Sequence, residues 1–231
     1  YPEMSMSRSE REAKTENRRP LKVRGAEWPK RFTKWLSRKS VTPNQISLTS
    51  VAFAAMSAGC LLALPYADGA AEWILPLMAA VGIQCRLLCN LFDGMVAVEG
   101  GKGTPSGELF NDIPDRVADP LILVSAGYAI TVVPWAMAIG WAAGLGAVMT
   151  AYVRTLSAAI GAPVNFCGPM AKQHRMAVMT AACVLTAAEH WASTQGWSLL
   201  VALVIVVVGC VLTAARRAKL AYQALEAKTD A

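Results

Sequence analysis

The sequence predicts an all-α, polytopic membrane protein, with six transmembrane helices preceded by an amphipathic helix lying on the membrane surface. Three observations carry that expectation. Hydrophobic residues fill 55% of the 231 positions and the mean hydropathy is +0.38, high for a soluble domain. The apolar residues come in runs long enough to cross a hydrocarbon layer of ~30 Å. Every Lys and Arg falls on one side of a six-span arrangement, a segregation that five or seven spans would break.

Taken in order, residues 1–20 open on Tyr1 and are polar and charged, unlike the apolar run of a signal peptide. They are expected to form a disordered arm, with room for a trimmed or tagged start. In 21–40, Trp28, Phe32, Trp35 and Leu36 recur at helical spacing among Lys30, Arg31, Lys34, Arg38 and Lys39. That pattern predicts a juxtamembrane helix whose tryptophans lie at the bilayer boundary. Thr42-Pro43-Asn44 is a helix start, since Pro suits the first helical position after a capping Thr. The first span follows over 45–64, and 65–71 is a turn carrying Asp68. The second span covers 72–98, and 99–106 is a Gly-rich loop with Lys102. The third span covers 107–132, with Pro114 and Pro120 expected to loosen its early turns.

Pro134 opens a short break before the fourth span, 136–160, where Gly140, Gly144 and Gly146 let neighbouring helices approach closely. A loop over 161–173 leads to the fifth span, 174–188, and a polar stretch over 189–196 leads to the sixth, 197–215. The β-branched run Val201–Val208 is too long for an ordinary strand and is better explained by lipid. Residues 41–215 thus make one transmembrane domain, and 216–231 a tail that begins helical and basic.

Twelve of the 22 basic residues precede the first span and four follow the sixth. Arg86, Lys102, Arg116, Arg154, Lys172 and Arg175 lie at or near the loops of that same side, while the opposite loops carry only Asp68, Glu72, Glu189 and His190. The positive-inside rule puts both termini on the cytoplasmic side, in a bacterial inner membrane. The formal charge of +6 is then explained by topology and anionic lipid rather than by nucleic acid. None of the six cysteines forms a CxxC, so neither a zinc site nor a disulfide framework is indicated. Gly100-Gly-Lys102-Gly lacks the spacing of a phosphate-binding Walker loop, and His174 reads as a polar helix-start residue.

The chemistry gathers at the cytoplasmic ends of the second and third spans. One carries Asn90-Leu-Phe-Asp93-Gly94-Met-Val-Ala97, the other Gly107-Glu-Leu-Phe-Asn111-Asp112-Ile-Pro-Asp115-Arg-Val-Ala-Asp119. Asn90 and Asp93 share one helix face, and Asn111 and Asp115 share another. Polar oxygens at membrane depth are costly and normally face a cavity, an ion or each other. Oxygen donors without thiol or imidazole suit Mg²⁺ or Mn²⁺. Arg154, Lys172 and Arg175 cluster on the same side and suit phosphate. Together these point to metal-assisted transfer on a phosphate-bearing lipid. The alternative is a helix–helix hydrogen-bond network with Arg86 and Arg116 as counter-ions.

These residues resemble the motif of the CDP-alcohol phosphotransferases, D-x-x-D-G-x-x-A-R followed by G-x-x-x-D-x-x-x-D. Asp93, Gly94, Ala97, Gly107 and Asp115 match it, and the resemblance extends over residues 40–215 through the Pro43-Asn44 start, the Tyr152-x-Arg154 and the basic segment before the fifth span. The resemblance implies a transferase in phospholipid biosynthesis. Two metal ions grip the pyrophosphate of a CDP-linked lipid or alcohol, an acceptor hydroxyl attacks the β-phosphate, and CMP leaves. It implies Asp115 as general base and metal ligand, with Asn90, Asp93, Asn111 and Asp112 as further ligands to one or two Mg²⁺ or Mn²⁺ ions. Asn44, Gly94, Ala97 and Gly107 would meet the nucleotide or substrate, and Arg154, Lys172 and Arg175 its phosphates. It further implies membrane lipid as a partner and a homodimer.

The chain departs from the motif at three places: Asn90 and Asn111 stand where the family has Asp, and Val98 where it has Arg. Four carboxylates become two, which weakens the grip on two divalent cations. Asp112 and Asp119 are placed to compensate, and Arg86, one turn before Asn90, is a fixed cation able to substitute in part for a metal. Two readings therefore stand beside the transferase: a pseudoenzyme that binds nucleotide or lipid without turnover, and a small transporter or scaffold.

Overall fold

The computed structural model describes residues 27–39, 41–98, 107–192 and 196–229, and among these it is helical with no strand. The arm expected over 1–20, the Gly-rich loop over 99–106 and the first part of the juxtamembrane segment lie outside the described residues. Helix α1 spans Glu27–Arg38, α2 Pro43–Ala63, α3 Ala71–Val98, α4 Gly107–Ala129, α5 Ala136–Ala159, α6 Lys172–Glu189 and α7 Trp197–Thr229. Single 3-10 turns follow α2 (Leu64–Tyr66) and α6 (His190–Ala192).

Local chemistry explains several boundaries. Thr42 Oγ1 accepts from the Gln45 amide at 3.3 Å while Gln45 Oε1 accepts from the Thr42 amide at 3.0 Å. That reciprocal capping box, with Pro43 at the first position, starts α2 where the sequence placed it. Pro114 and Pro120 lie inside α4, which runs through both. α7 does not stop where the hydropathy falls at residue 215: it continues unbroken to Thr229. The residues after Arg216 are mostly Ala, Leu, Lys, Gln and Glu, strong helix formers that need no lipid to stay helical.

Helices α2 to α7 close into a ring in the order α2, α4, α5, α7, α6, α3 and back to α2, with α1 packed on α3. Leu61, Ile83, Ile122, Leu123, Met176, Met179, Leu199, Leu203 and Val206 are fully buried between them. The outward faces are apolar as well, with Trp141, Leu145, Leu185, Val201 and Val211 at least half exposed. A helix apolar all round belongs in a membrane. Among the described residues, four helical segments are long and apolar enough to cross one: Pro43–Tyr66, Ala71–Val98, Ala136–Ala159 and Trp197–Ala227. α4 and α6 fall short of that measure. Asp112, Asp115, Arg116 and Asp119 crowd the first half of α4, and Lys172 and Arg175 the start of α6, yet both are full members of the ring.

The close approach expected from small residues is present. The Cα of Gly127 in α4 and that of Gly140 in α5 are so near that a Cβ built on either would meet the other's Cα at 2.8 Å. Gly144 rests on Val124 and Pro120, and Gly146 on Cys210. Gly140→Ala should therefore force the α4–α5 seam apart and lose about 1–3 kcal/mol. The midpoint of thermal unfolding in detergent, followed by helical circular dichroism, measures this. Gly59, with open space around its Cβ position, is the control that should change little. All six cysteines are free thiols.

α1 lies against the last turns of α3. Phe32 packs on Phe92 at 4.6 Å between ring centroids and Trp28 meets the same ring edge-on at 6.1 Å, while Trp28 and Trp35 keep about half their surface outside. The helix is thus amphipathic as expected, anchored by one aromatic cluster.

Candidate active site

The ends of α3 and α4 that carry the motif make few direct contacts, because α2 separates the two helices. They are joined by side chains reaching across the ring. At the centre is Asp115, on α4. Its Oδ1 accepts from Arg86 Nη2 at 3.1 Å and from Asn90 Nδ2 at 3.3 Å, both on α3, and its Oδ2 accepts from Lys172 Nζ at the start of α6. One turn further along α4, Asp119 pairs with Arg86 Nη2 at 2.6 Å through Oδ1 and with Arg175 Nη2 at 2.6 Å through Oδ2. Arg175 also donates to the Met170 carbonyl at 2.9 Å and to Thr150 Oγ1 at 3.2 Å.

Arg86 was counted from the sequence among residues at or near the loops. It lies instead about three turns inside α3, with no exposed surface. A fully buried guanidinium is tolerated only with good partners, which Asp115 and Asp119 supply. Two of its donors, Nε and Nη1, have no hydrogen-bond partner, nor have Nε of Arg175 and Oδ1 of Asp119, whose contact with Arg86 is one of charge alone. Three buried or half-buried cations, Arg86, Lys172 and Arg175, therefore face two carboxylates, and the cluster carries a positive excess.

Asp93 belongs to a second part of the site. Its Oδ2 accepts from Ser47 Oγ on α2 at 2.7 Å, and it lies close enough to feel the charges of Lys172 and Asp115. Asp112, half-buried at the outer edge, takes Arg116 at 2.7 Å and Arg154 at 3.1 Å. The Arg154 guanidinium also stands over the Phe166 ring, 5.6 Å from its centroid.

Around these groups is a cavity of about 520 Å³. Asn90, Asn111, Asp112, Asp115, Arg154, Lys172 and Arg175 all line it. Asn44, Asp93, Gly94, Ala97 and Gly107 are not among its lining residues. Asn44 is the second residue of α2, Gly107 the first of α4, and Gly94 and Ala97 are half-buried in the last turns of α3. Arg217 and Thr150, which the sequence did not single out, line the cavity and hold its roof. Arg217 Nη1 donates to the Thr150 carbonyl at 2.7 Å and Nε to the Cys167 carbonyl at 2.9 Å. The Met170 amide donates to Thr213 Oγ1 at 2.9 Å, and Gly168 has φ +119° with Thr213 against its Cα. Any side chain at 168 would be strained there and would strike Thr213.

The donor set does not fit a pair of divalent cations. Among the described residues no three His, Cys, Asp or Glu side chains come together, Asn90 points its amide nitrogen at Asp115, and Asp115 is paired through both oxygens with protein cations. Asp93, with Ser47 beside it, remains as one carboxylate. A single Mg²⁺-type ion held by one carboxylate and by substrate phosphate needs no more than that.

A scan of protein-family models and a search of curated proteins both find no match to the sequence. Solved structures do match. Phosphatidylinositol phosphate synthase from Mycobacterium tuberculosis with CDP-DAG bound has a TM-score of 0.65 at 16% identity, over 85% of this chain and 94% of that one. The same enzyme in complex with manganese and citrate gives 0.66 at 16% identity, over 84% and 88%. Its apo form gives 0.63 at 17%, over 83% and 94%. The chain therefore shares the fold of a CDP-alcohol phosphotransferase, the family its motif resembles.

Proposed function

We propose that this chain is an integral membrane CDP-alcohol phosphotransferase of phospholipid biosynthesis. Six helices, α2 to α7, span the bilayer, and the site opens to the cytoplasm. The supporting observation is the convergence of Asp115, Asn90 and Lys172 from three helices on one cavity, with Arg154 and Arg175 beside them. The donor is a CDP-linked lipid, of the kind the M. tuberculosis enzyme binds. The acceptor carries a hydroxyl, and the excess of cations around the cavity favours one that is phosphorylated.

The chain's own groups do the following. Lys172, Arg154 and Arg175 meet phosphate oxygens, where fixed cations in a water-poor site stabilise the charge that develops as the bond breaks. Engagement of Lys172 by the donor phosphates draws it from Asp115, whose freed Oδ2 accepts the acceptor's proton. The acceptor oxygen bonds to the β-phosphorus, the bond from that phosphorus to the bridging oxygen breaks, and CMP leaves with the bridging oxygen. Asp93 is the carboxylate that would hold a single Mg²⁺ or Mn²⁺ together with the donor diphosphate, and such an ion would supply charge neutralisation. Ser47 fixes the Asp93 carboxylate.

Purified protein given CDP-diacylglycerol, Mn²⁺ and a panel of acceptors (glycerol 3-phosphate, inositol 1-phosphate, serine) should release CMP with at least one of them. No CMP with any pair overturns the assignment. The second reading, binding without turnover, is favoured by the full ion pairing of Asp115. It predicts that CDP-diacylglycerol raises the unfolding temperature while no acceptor yields CMP.

A further inference from the structure

We infer that Arg86 is a built-in replacement for the second divalent cation, so that this site takes up at most one metal ion. The inference concerns the site of the function proposed above, but its decisive measurement does not require turnover.

A bridging divalent ion does two things for a pair of carboxylates: it cancels their repulsion and fixes their positions. Arg86 does both here. One terminal nitrogen, Nη2, lies 3.1 Å from Asp115 Oδ1 and 2.6 Å from Asp119 Oδ1, joining carboxylates on successive turns of α4. The guanidinium is fully buried and reaches α4 from α3, on the far side of α2. The sequence changes agree with this arrangement. Asn90 removes a negative charge from the side chain that shares Asp115 Oδ1 with Arg86, and Asn111 removes another one turn before Asp115 on α4. An aspartate at 90 would add a third carboxylate beside Asp115. Asn90 as an amide instead donates to that same oxygen, a contact an ionised aspartate cannot make. As oriented here, the amide and the guanidinium both direct donors at Asp115 Oδ1, the lone pairs a divalent ion would need there.

Manganese paramagnetic-resonance titration of the full-length protein in detergent tests this, because bound Mn²⁺ leaves the free-ion spectrum. With CDP present or absent, wild type should take up no more than one Mn²⁺ per chain. Arg86→Gln exposes Asp115 and Asp119 to solvent ions and should take up one additional Mn²⁺, at least tenfold tighter than any second ion on wild type. Its unfolding temperature should rise with Mn²⁺ where that of wild type does not respond to a second ion. Arg86→Lys, which keeps the charge, should behave as wild type. Two Mn²⁺ ions on wild type at micromolar concentration, or an unchanged count in Arg86→Gln, would overturn the inference. If Arg86→Gln folds only when Mn²⁺ is supplied, the substitution of ion for side chain is demonstrated directly. If it does not fold at all, the wild-type count decides alone. Failure of CMP release leaves this count untouched, so the inference and the transferase assignment fail separately.

Discussion

Replacing Asp119 with alanine should cost the fold about 3–5 kcal/mol, the largest loss expected from any single polar substitution in this chain. The carboxylate is 4% exposed and pairs at 2.6 Å with both Arg86 and Arg175. Its removal leaves Arg175 buried without a carboxylate and Arg86 with Asp115 alone. The penalty arises mainly from stranded charge rather than from a lost contact. The double variant Asp119→Ala, Arg175→Met should therefore recover part of the loss, with an interaction energy of about 1–3 kcal/mol in a double-mutant cycle. Thermal and denaturant unfolding in detergent measure both. The comparison pair is Arg116–Asp112, four residues apart on α4 and more than a quarter exposed on each side. Asp112→Ala should move stability by no more than about 1 kcal/mol. If the two substitutions cost the same, the buried cluster is not what holds α3, α4 and α6 together.

The second large effect is on turnover. Asp115→Asn keeps the shape of the side chain and removes its basicity. CMP release should fall by about 10²–10⁴-fold, the usual contribution of a positioned general base. The loss should appear in kcat, with KM for the CDP-linked donor changed far less, because Lys172, Arg154 and Arg175 remain to meet the phosphates. Lys172→Met should show the opposite division, with KM for the donor rising and the protein still able to release CMP. A rise in KM with kcat unchanged for Asp115→Asn would place Asp115 in donor binding instead.

Much of the architecture was legible because hydropathy and turn chemistry agree locally. The Thr42-Pro43 start, the Pro134 break and the first five apolar runs recur as helix boundaries within a few residues. The end of α7 was not legible at residue 215, because hydropathy reports contact with lipid while helix formation also follows propensity. Within the site, the motif spacing brought Asn90 and Asp115 together across 25 residues. Ser47 could not be found this way. It lies 46 residues from Asp93, and one serine among several on α2 carries no local mark. Arg86 and Asp119 were visible as residues one turn outside the motif, but spacing alone cannot show that they meet each other. That pairing depends on the ring closing through α2 and α6, a property of packing between helices. Gly94, Ala97 and Gly107 illustrate the reverse case: they match the motif, yet they do not line the cavity.

The unbroken course of α7 has a mechanical consequence. At 1.5 Å per residue, its 33 residues make a rod about 50 Å long, well beyond the ~30 Å of a hydrocarbon layer. The last inward-facing anchor on it is Arg217, and none of the described side chains past that point is buried. The helix therefore continues past its last buried side chain as a stiff, partly exposed rod rather than a loose tether. Trimming the helix back to residue 218 should leave the helices around the cavity undisturbed.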